Sequence, residues 1–270
     1  MSRPTVHSRG AIWFAALTGN TAPCAGYPAS LLVADSTLAG KTARFISIIP
    51  DSDNRFPRVR NGEIGLVEGW SLARAVQETI AADRDAATKR PIVAIVDVAS
   101  QAYGRREEAY GIHQALAGAA GAYAEARLAG HPVIALIVGK AMSGAFLAHG
   151  YQANRLIALD DPGVLVHAMG KAAAARITQR SVEDLEAFAA TVPPMAYDIA
   201  NYQTLGLLWR LLPGIAADAP SDADRVRVNE TLAAALADIE SDATRDLKCR
   251  LGGVNRQASS KVREMLTQQW

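Results

Sequence analysis

The stretch Gly139–Gly150, "GKAMSGAFLAHG", carries the residues most able to do chemistry. It follows the apolar run "HPVIALIVG" directly, so small residues crowd the point where a buried strand gives way to a helix. A helix start leaves backbone N–H groups without partners and carries partial positive charge. Around Ser143, Gly144 and Ala145, little side chain stands between those donors and an incoming oxygen. That is the pattern of an oxyanion hole, in which backbone amides stabilise negative charge on a reacting oxygen. Equally, small residues at such a turn allow close helix–sheet packing and nothing more. Ser143 adds another option, a nucleophile with His167 as its base. Against it stands an N-cap role for the Ser143 hydroxyl and a plain, partly buried histidine after a strand end.

Other candidates weaken on inspection. Gly40-Lys41-Thr42 ends like a phosphate loop, but Asp35 stands where that motif requires glycine, and the stretch reads better as a hairpin turn. Lys140 precedes the small-residue turn and does not close it, which removes the same reading there. His7, His113, His131 and His149 show no metal-ligand spacing. Arg105-Arg106 and Glu107-Glu108 lie in the stretch "QAYGRREEAYG": the arginines read as solvated or as holders of an anionic substrate, the glutamates as favouring a helix N-terminus. Trp70 and Trp209 read as packing residues.

The elements that must position the turn follow from periodicity. Ile12–Leu17 reads as a short strand, and "SLLVADSTLAGKTARFISIIPD" as two strands around a glycine-containing turn. "NRFPRVRNGEIGLVEGW" reads as a polar loop, followed by a helix from Ser71 to about Ala87 with Leu72, Val76 and Ile80 on one face. "PIVAIVDVAS" is a strand buried on both faces, and an Ala-rich helix spans roughly Gly111–Ala129. "PVIALIVG" and "NRLIALDD" are two more buried strands. Past Ser181 the pattern reads as helical throughout, with "SVEDLEAFAATVP", "PMAYDIANYQTLGLLWRLL" and "SDADRVRVNETLAAALADIE" as helices. Strand–helix–strand alternation of this kind argues for an α/β architecture in a single domain over residues 1–270.

Composition sets the outer bounds. Half of the 270 residues are hydrophobic and the formal net charge is +1, without a basic or acidic block, so neither nucleic acid nor an anionic membrane surface is expected as a partner. Cys24 and Cys249 form no zinc or disulfide pattern, which favours a reduced, cytoplasmic setting. The first twenty residues show no secretory signal pattern, and no apolar run approaches the length of a membrane span.

Several stretches then line up in order. Val96-Asp97-Val98, Tyr123-Ala124-Glu125-Ala126, Lys140 to Phe146 and Ala168-Met169-Gly170 resemble the C-terminal half of the crotonase-superfamily carboxyltransferases. Over most of its length, through "TVPPMAYDIANYQTLGLLWRLL", the chain resembles the gamma subunit of biotin-independent malonate decarboxylase. The resemblance implies a crotonase-like fold of stacked ββα units with C-terminal helices. It implies decarboxylation of a malonyl thioester to an acetyl thioester and CO2, together with a beta subunit. The substrate would ride on the phosphopantetheine-type arm of an acyl carrier protein subunit, loaded by an alpha transferase subunit, with no biotin and no metal. Carried over by position, the amides of Gly144 and Ala145 form the oxyanion hole, and Gly104 and Glu108 face the pocket. Ser143, Met142, Tyr103 and Arg105 are expected to line it. "DVAS" replaces the usual Asp-Val-Pro-Gly, and Ser143 replaces a glycine. In the carboxyltransferases this half receives biotin and the decarboxylase family uses none, so the resemblance leaves this hole to hold either the enolate or the departing carboxylate side. The "SG" turn with a later histidine also resembles Clp-like serine hydrolases, which makes a hydrolase using Ser143 and His167 the second reading, and a non-catalytic scaffold subunit of a carboxyltransferase complex is the third.

Overall fold

A computed structural model describes residues 8–270; His7 lies outside the described residues. The chain opens with helix α1 (Arg9–Thr18), not the strand expected over Ile12–Leu17. Six apolar residues in a row do not distinguish strand from helix. Here Ser8 decides, since its side chain caps the helix by accepting from the Ala11 N–H, while Trp13, Phe14 and Leu17 turn one face inward.

Strands β1 (Leu31–Leu38) and β2 (Lys41–Ile48) form the expected antiparallel hairpin. Its two-residue turn, Ala39-Gly40, has positive φ at both positions, as a tight hairpin requires. Helix α2 (Leu66–Ala82) begins five residues before the expected start, inside the stretch read as loop. Glu68 explains the misreading. It looks like a surface residue, yet it is fully buried, accepting from the Ser30 hydroxyl at 2.6 Å and the Gly65 N–H at 3.1 Å. That carboxylate ties the start of α2 to the residue just before β1.

Strand β3 (Ile92–Val98) leads through a short helix α3 (Arg105–Ala109), also unexpected, to the long helix α4 (Ile112–Leu128). Strands β4 (Val133–Met142) and β5 (Arg155–Asp160) flank helix α5 (Ser143–Ala148). A three-residue strand, β6 (Leu165–His167), precedes α6 (Lys171–Thr178), α7 (Val182–Ala189) and α8 (Ile199–Thr204). Then comes β7 (Arg210–Pro213), in the stretch read as helix, followed by α9 (Asp222–Ser241) and α10 (Gln257–Gln269). The apolar run "LGLLWRLL" was ambiguous by periodicity; the free edge of β5 captures its second half as a parallel strand.

The sheet runs β1-β2-β3-β4-β5-β7, antiparallel only in the first pair, with β6 beside the far end of β4. Parallel strands need coverage on both faces. Helices α2 and α4 pack together along the crossovers, while α1 and α9 touch strands elsewhere. The main core includes Trp13, Phe45, Ile95, Leu136, Ile157 and Leu232. No helix among the described residues is long and apolar enough to cross a membrane.

Candidate functional site

The site is built at the end of β4. The β3–β4 ladder runs in register from Ile92 to Val96 and then shifts, so that Val98 pairs with Ala141. Asp97 sits in this irregularity. Its carboxylate accepts from the Lys140 N–H at 3.1 Å and from the Gly10 N–H at 3.3 Å. A Cβ on Gly139 would come within 2.2 Å of Asp97 Oδ1, so only glycine fits opposite that carboxylate. While Ala141 still pairs with Val98 of β3, the end of β4 pairs on its other side with β6, Met142 opposite His167.

The chain then turns sharply. Met142 is extended (φ −112°, ψ 140°), Ser143 has φ +57°, and α5 follows. A left-handed conformation costs a residue with a side chain about 1–2 kcal/mol. The Ser143 hydroxyl offsets part of this by donating to the Ala168 carbonyl oxygen at 2.8 Å. This also rationalises the Ser143-for-glycine departure: the position asks for the backbone freedom of glycine, and serine meets it with a hydrogen bond.

A cavity of about 340 Å³ opens beside this elbow. Ser143 and Gly144 line it, with Phe146, Leu147, Val166 and Leu207 among its apolar walls and His167 and Tyr202 as polar members. Met142 and Ala145 are buried behind the turn and do not line it. The stretch Tyr103, Gly104, Arg105 and Glu108 is not part of that lining either. Tyr103, Arg105 and Glu108 are exposed, and the Tyr103 carbonyl oxygen accepts from Arg58. Gly104 is the N-cap of α3, with the buried Glu107 side chain turned back against it.

One residue that the sequence did not signal joins these two regions. The Gly144 N–H is not open, as the helix-start argument expects; it donates to Gln101 Oε1 at 2.9 Å. Gln101 belongs to the loop after β3, which a bridge to Ile64 holds in place through Ile64 N–H to Ser100 O (3.0 Å) and Ala102 N–H to Ile64 O (2.8 Å). Forty-three positions separate Gln101 from Gly144 in the chain, and nothing in "ASQAYG" marks the glutamine as special.

His167 does not serve Ser143. Its Nδ1 lies 2.9 Å from the Met169 carbonyl oxygen and 3.1 Å from the Met169 N–H, and its ring stacks on Tyr197 with centroids 3.9 Å apart. Burial pushes its pKa down, opposed by backbone contacts with Met169 and Met195, so the ring is neutral near pH 7. With the Ser143 proton on the Ala168 carbonyl oxygen and Nδ1 occupied by Met169, nucleophile and base are not paired. Of the other histidines, His149 is fully buried between Tyr123 and Ile95, His131 is buried against the Arg90 carbonyl, and His113 is exposed. No group of three or more His, Cys, Asp or Glu among the described residues is placed to hold a metal ion. Trp70 is about half exposed and its ring covers Gly118; Trp209 packs against the main core.

Comparison with known proteins places this geometry. The sequence profile of the malonate decarboxylase gamma subunit family matches residues 59–270. A chain of a Pseudomonas malonate decarboxylase hetero-tetramer, crystallised with coenzyme A, is 67% identical and superposes with a TM-score of 0.94 over 97% of this chain and 100% of its own. A chain of a Pseudomonas MdcD–MdcE hetero-dimer is 64% identical, with a TM-score of 0.91 over 98% of this chain and 100% of its own. The malonyl-S-ACP:biotin-protein carboxyltransferase MADD of Malonomonas rubra is 42% identical over 157 residues, 57% of this chain, and the match spans 54% of that relative's length. The transcarboxylase 12S core, at 20% identity, shares the fold with a TM-score of 0.61 over 81% of this chain and 38% of its own. The expected crotonase-like architecture is thus the one observed.

Proposed function

The chain belongs to the malonate decarboxylase gamma-subunit family, and from that premise we propose that it works with a beta subunit to decarboxylate a malonyl thioester, using the backbone donors of the Ser143–Ala145 turn. The solved Pseudomonas relatives, a hetero-dimer and a hetero-tetramer, support pairing with a beta partner. The Malonomonas relative, named for malonyl-S-ACP, supports a carrier-bound malonyl thioester as substrate. The thioester arrives on the phosphopantetheine-type arm of an acyl carrier protein charged by an alpha transferase subunit, and no biotin takes part.

The chemistry asks for little from side chains. The bond between the methylene and the carboxylate carbon breaks, CO2 leaves, and the bonding pair forms a carbon–carbon double bond. The thioester carbonyl π electrons move onto oxygen, giving an enolate. A proton delivered to the methylene carbon then yields the acetyl thioester. The barrier lies in charge arriving on an oxygen, and preorganised N–H donors lower it without reorganising.

The observation that carries this reading is that the Gly144 N–H already holds a carbonyl-type oxygen, Gln101 Oε1, at 2.9 Å, while Gly144 itself lines the 340 Å³ cavity. The donor is therefore aimed where an acyl oxygen can sit. Ala145 is the companion donor. Met142 supports the turn from behind, and Tyr103, Gly104, Arg105 and Glu108 form the approach on the Gln101 side, where Arg105 meets the anionic arm.

The test is decarboxylation of malonyl-carrier thioester by the beta–gamma complex carrying Gly144→Val. The branched side chain would press on Gln101 and Leu116, the nearest atoms to a Cβ there, and cover the donor. Loss of an oxyanion-hole donor costs about 100- to 1,000-fold in kcat. A folded Gly144→Val complex with full activity would falsify the assignment.

A further inference from the structure

We propose that Gln101 is a specificity-determining residue: its side-chain carbonyl is an internal competitor for the Gly144 N–H, which reserves that donor for a charged oxygen and expels a neutral one. The inference rests on the reading of Gly144 as a substrate-facing donor.

The geometry supports each part. A backbone N–H needs an oxygen opposite it, so the 2.9 Å contact fixes the orientation of the carboxamide, with Oε1 on Gly144. The glycine leaves the carboxamide room, since a Cβ at position 144 would stand 3.3 Å from Oε1 and 3.5 Å from Leu116 Cδ1, close enough to nudge the Gln101 side chain. The Gln101 main chain is pinned through its neighbours to Ile64, whereas its side chain is only partly buried and holds Gly144 by one hydrogen bond. Breaking that bond therefore requires rotamer changes in one side chain and no backbone movement.

The competition is chemically lopsided. An amide oxygen is a stronger acceptor than a thioester carbonyl oxygen, because nitrogen donates electron density to its carbonyl far better than sulfur does. Gln101 is also tethered beside the donor and competes at high effective concentration. A neutral thioester carbonyl therefore exchanges poorly with it. A carboxylate or enolate oxygen accepts a charge-assisted hydrogen bond roughly twice as strong as a neutral one and displaces the amide. Where the oxygen at Gly144 is that of the thioester, binding energy is thus withheld from the neutral carbonyl and released as enolate charge develops on it, which is the differential that speeds a reaction. After protonation, the acetyl thioester is neutral again, Gln101 returns to Gly144, and the product is dismissed.

The experiment uses the beta–gamma complex, malonyl-carrier thioester as substrate and acetyl-coenzyme A as the neutral competitor, with Gln101→Ala and Gln101→Glu compared at matched melting temperatures. With the competitor gone in Gln101→Ala, the inhibition constant of acetyl-coenzyme A falls about tenfold, the value of one neutral hydrogen bond. A charged acceptor in Gln101→Glu plugs the donor more firmly and raises both that constant and the KM for the malonyl thioester by about tenfold or more. Opposite shifts from two variants of equal stability are not what a merely structural residue gives. Unchanged inhibition constants in both variants overturn the proposal. So does a kcat loss in Gln101→Ala without tighter acetyl-coenzyme A binding, because the carboxamide would then be a donor to the substrate. These failures differ from failure of the underlying reading, in which Gly144→Val itself leaves activity intact.

Discussion

The Ser143 hydroxyl donates to the Ala168 carbonyl oxygen at 2.8 Å while its own backbone is held at φ +57°. One residue thus carries a conformational cost and the contact that offsets it. Ser143→Gly removes both: about 1 kcal/mol of backbone strain is relieved and a hydrogen bond worth about 1 kcal/mol is lost. The variant should melt within a few degrees of wild type and keep most of its decarboxylase activity. Ser143→Ala keeps the strain and loses the bond, and should be the less stable of the two by about 1 kcal/mol. Thermal melting and the malonyl-thioester assay check both. A thousandfold activity loss in a well-folded Ser143→Gly complex would return the hydroxyl to the chemistry.

Two glycines in the paired helices α2 and α4 make opposite predictions. A Cβ on Gly69 would lie 2.9 Å from both the carbonyl carbon and oxygen of Ala115, which are backbone atoms that cannot swing aside. Gly69→Ala should force the helices apart and destabilise the fold by about 1–3 kcal/mol. Gly121, on the exposed side of α4, has nothing within 4 Å of its Cβ position. Gly121→Ala should gain up to about 1 kcal/mol of helix propensity. Melting temperatures should move in opposite directions. A neutral Gly69→Ala would mean that the α2–α4 crossing is looser than its geometry.

What the sequence could show follows from where the information is local. The β1–β2 hairpin, the buried strands and α4 were legible because a turn residue or an uninterrupted apolar run marks each within its own span. Helix α7 was announced by Ser181, whose side chain caps it, and α9 by its own long helical pattern, which Ser221 caps in the fold. The elbow at Ser143-Gly144 was legible for the same reason: a buried strand that ends in small residues is a local pattern. Strand β7 was not, because its state depends on β5 offering an edge some fifty residues away. The start of α2 was hidden by Glu68, a charged residue buried for its hydrogen bonds to Ser30 and Gly65. Gln101 was hidden most completely, since its importance lies in a single contact made across the fold.

Burial makes His149 one source of acid sensitivity in the fold. His149 is fully buried, and burial pushes its pKa down to about 4, opposed by the backbone contact with Ile95. The tautomer follows from its partners: Nε2–H donates to the Ile95 carbonyl oxygen at 2.9 Å, leaving Nδ1 to accept from the Tyr123 hydroxyl at 3.0 Å. In the unfolded chain the ring takes a proton near pH 6.5, whereas in the folded chain it resists until about pH 4. The unfolded state therefore binds more protons across that window, so stability is full above pH 6.5 and declines as pH falls toward 4. The loss reaches on the order of 3 kcal/mol at the lower end. His131 and His167, whose pKa values burial also lowers, act in the same direction. His149→Gln retains a donor and an acceptor without titrating, so its melting temperature should fall less steeply than that of wild type between pH 6.5 and 5. Tyr123→Phe leaves Nδ1 without its donor and should cost about 1–3 kcal/mol at neutral pH. It should also make the acid decline shallower, because losing a donor to the neutral ring raises the folded-state pKa of His149 toward its unfolded value. Parallel pH profiles for wild type and His149→Gln would place the acid sensitivity elsewhere.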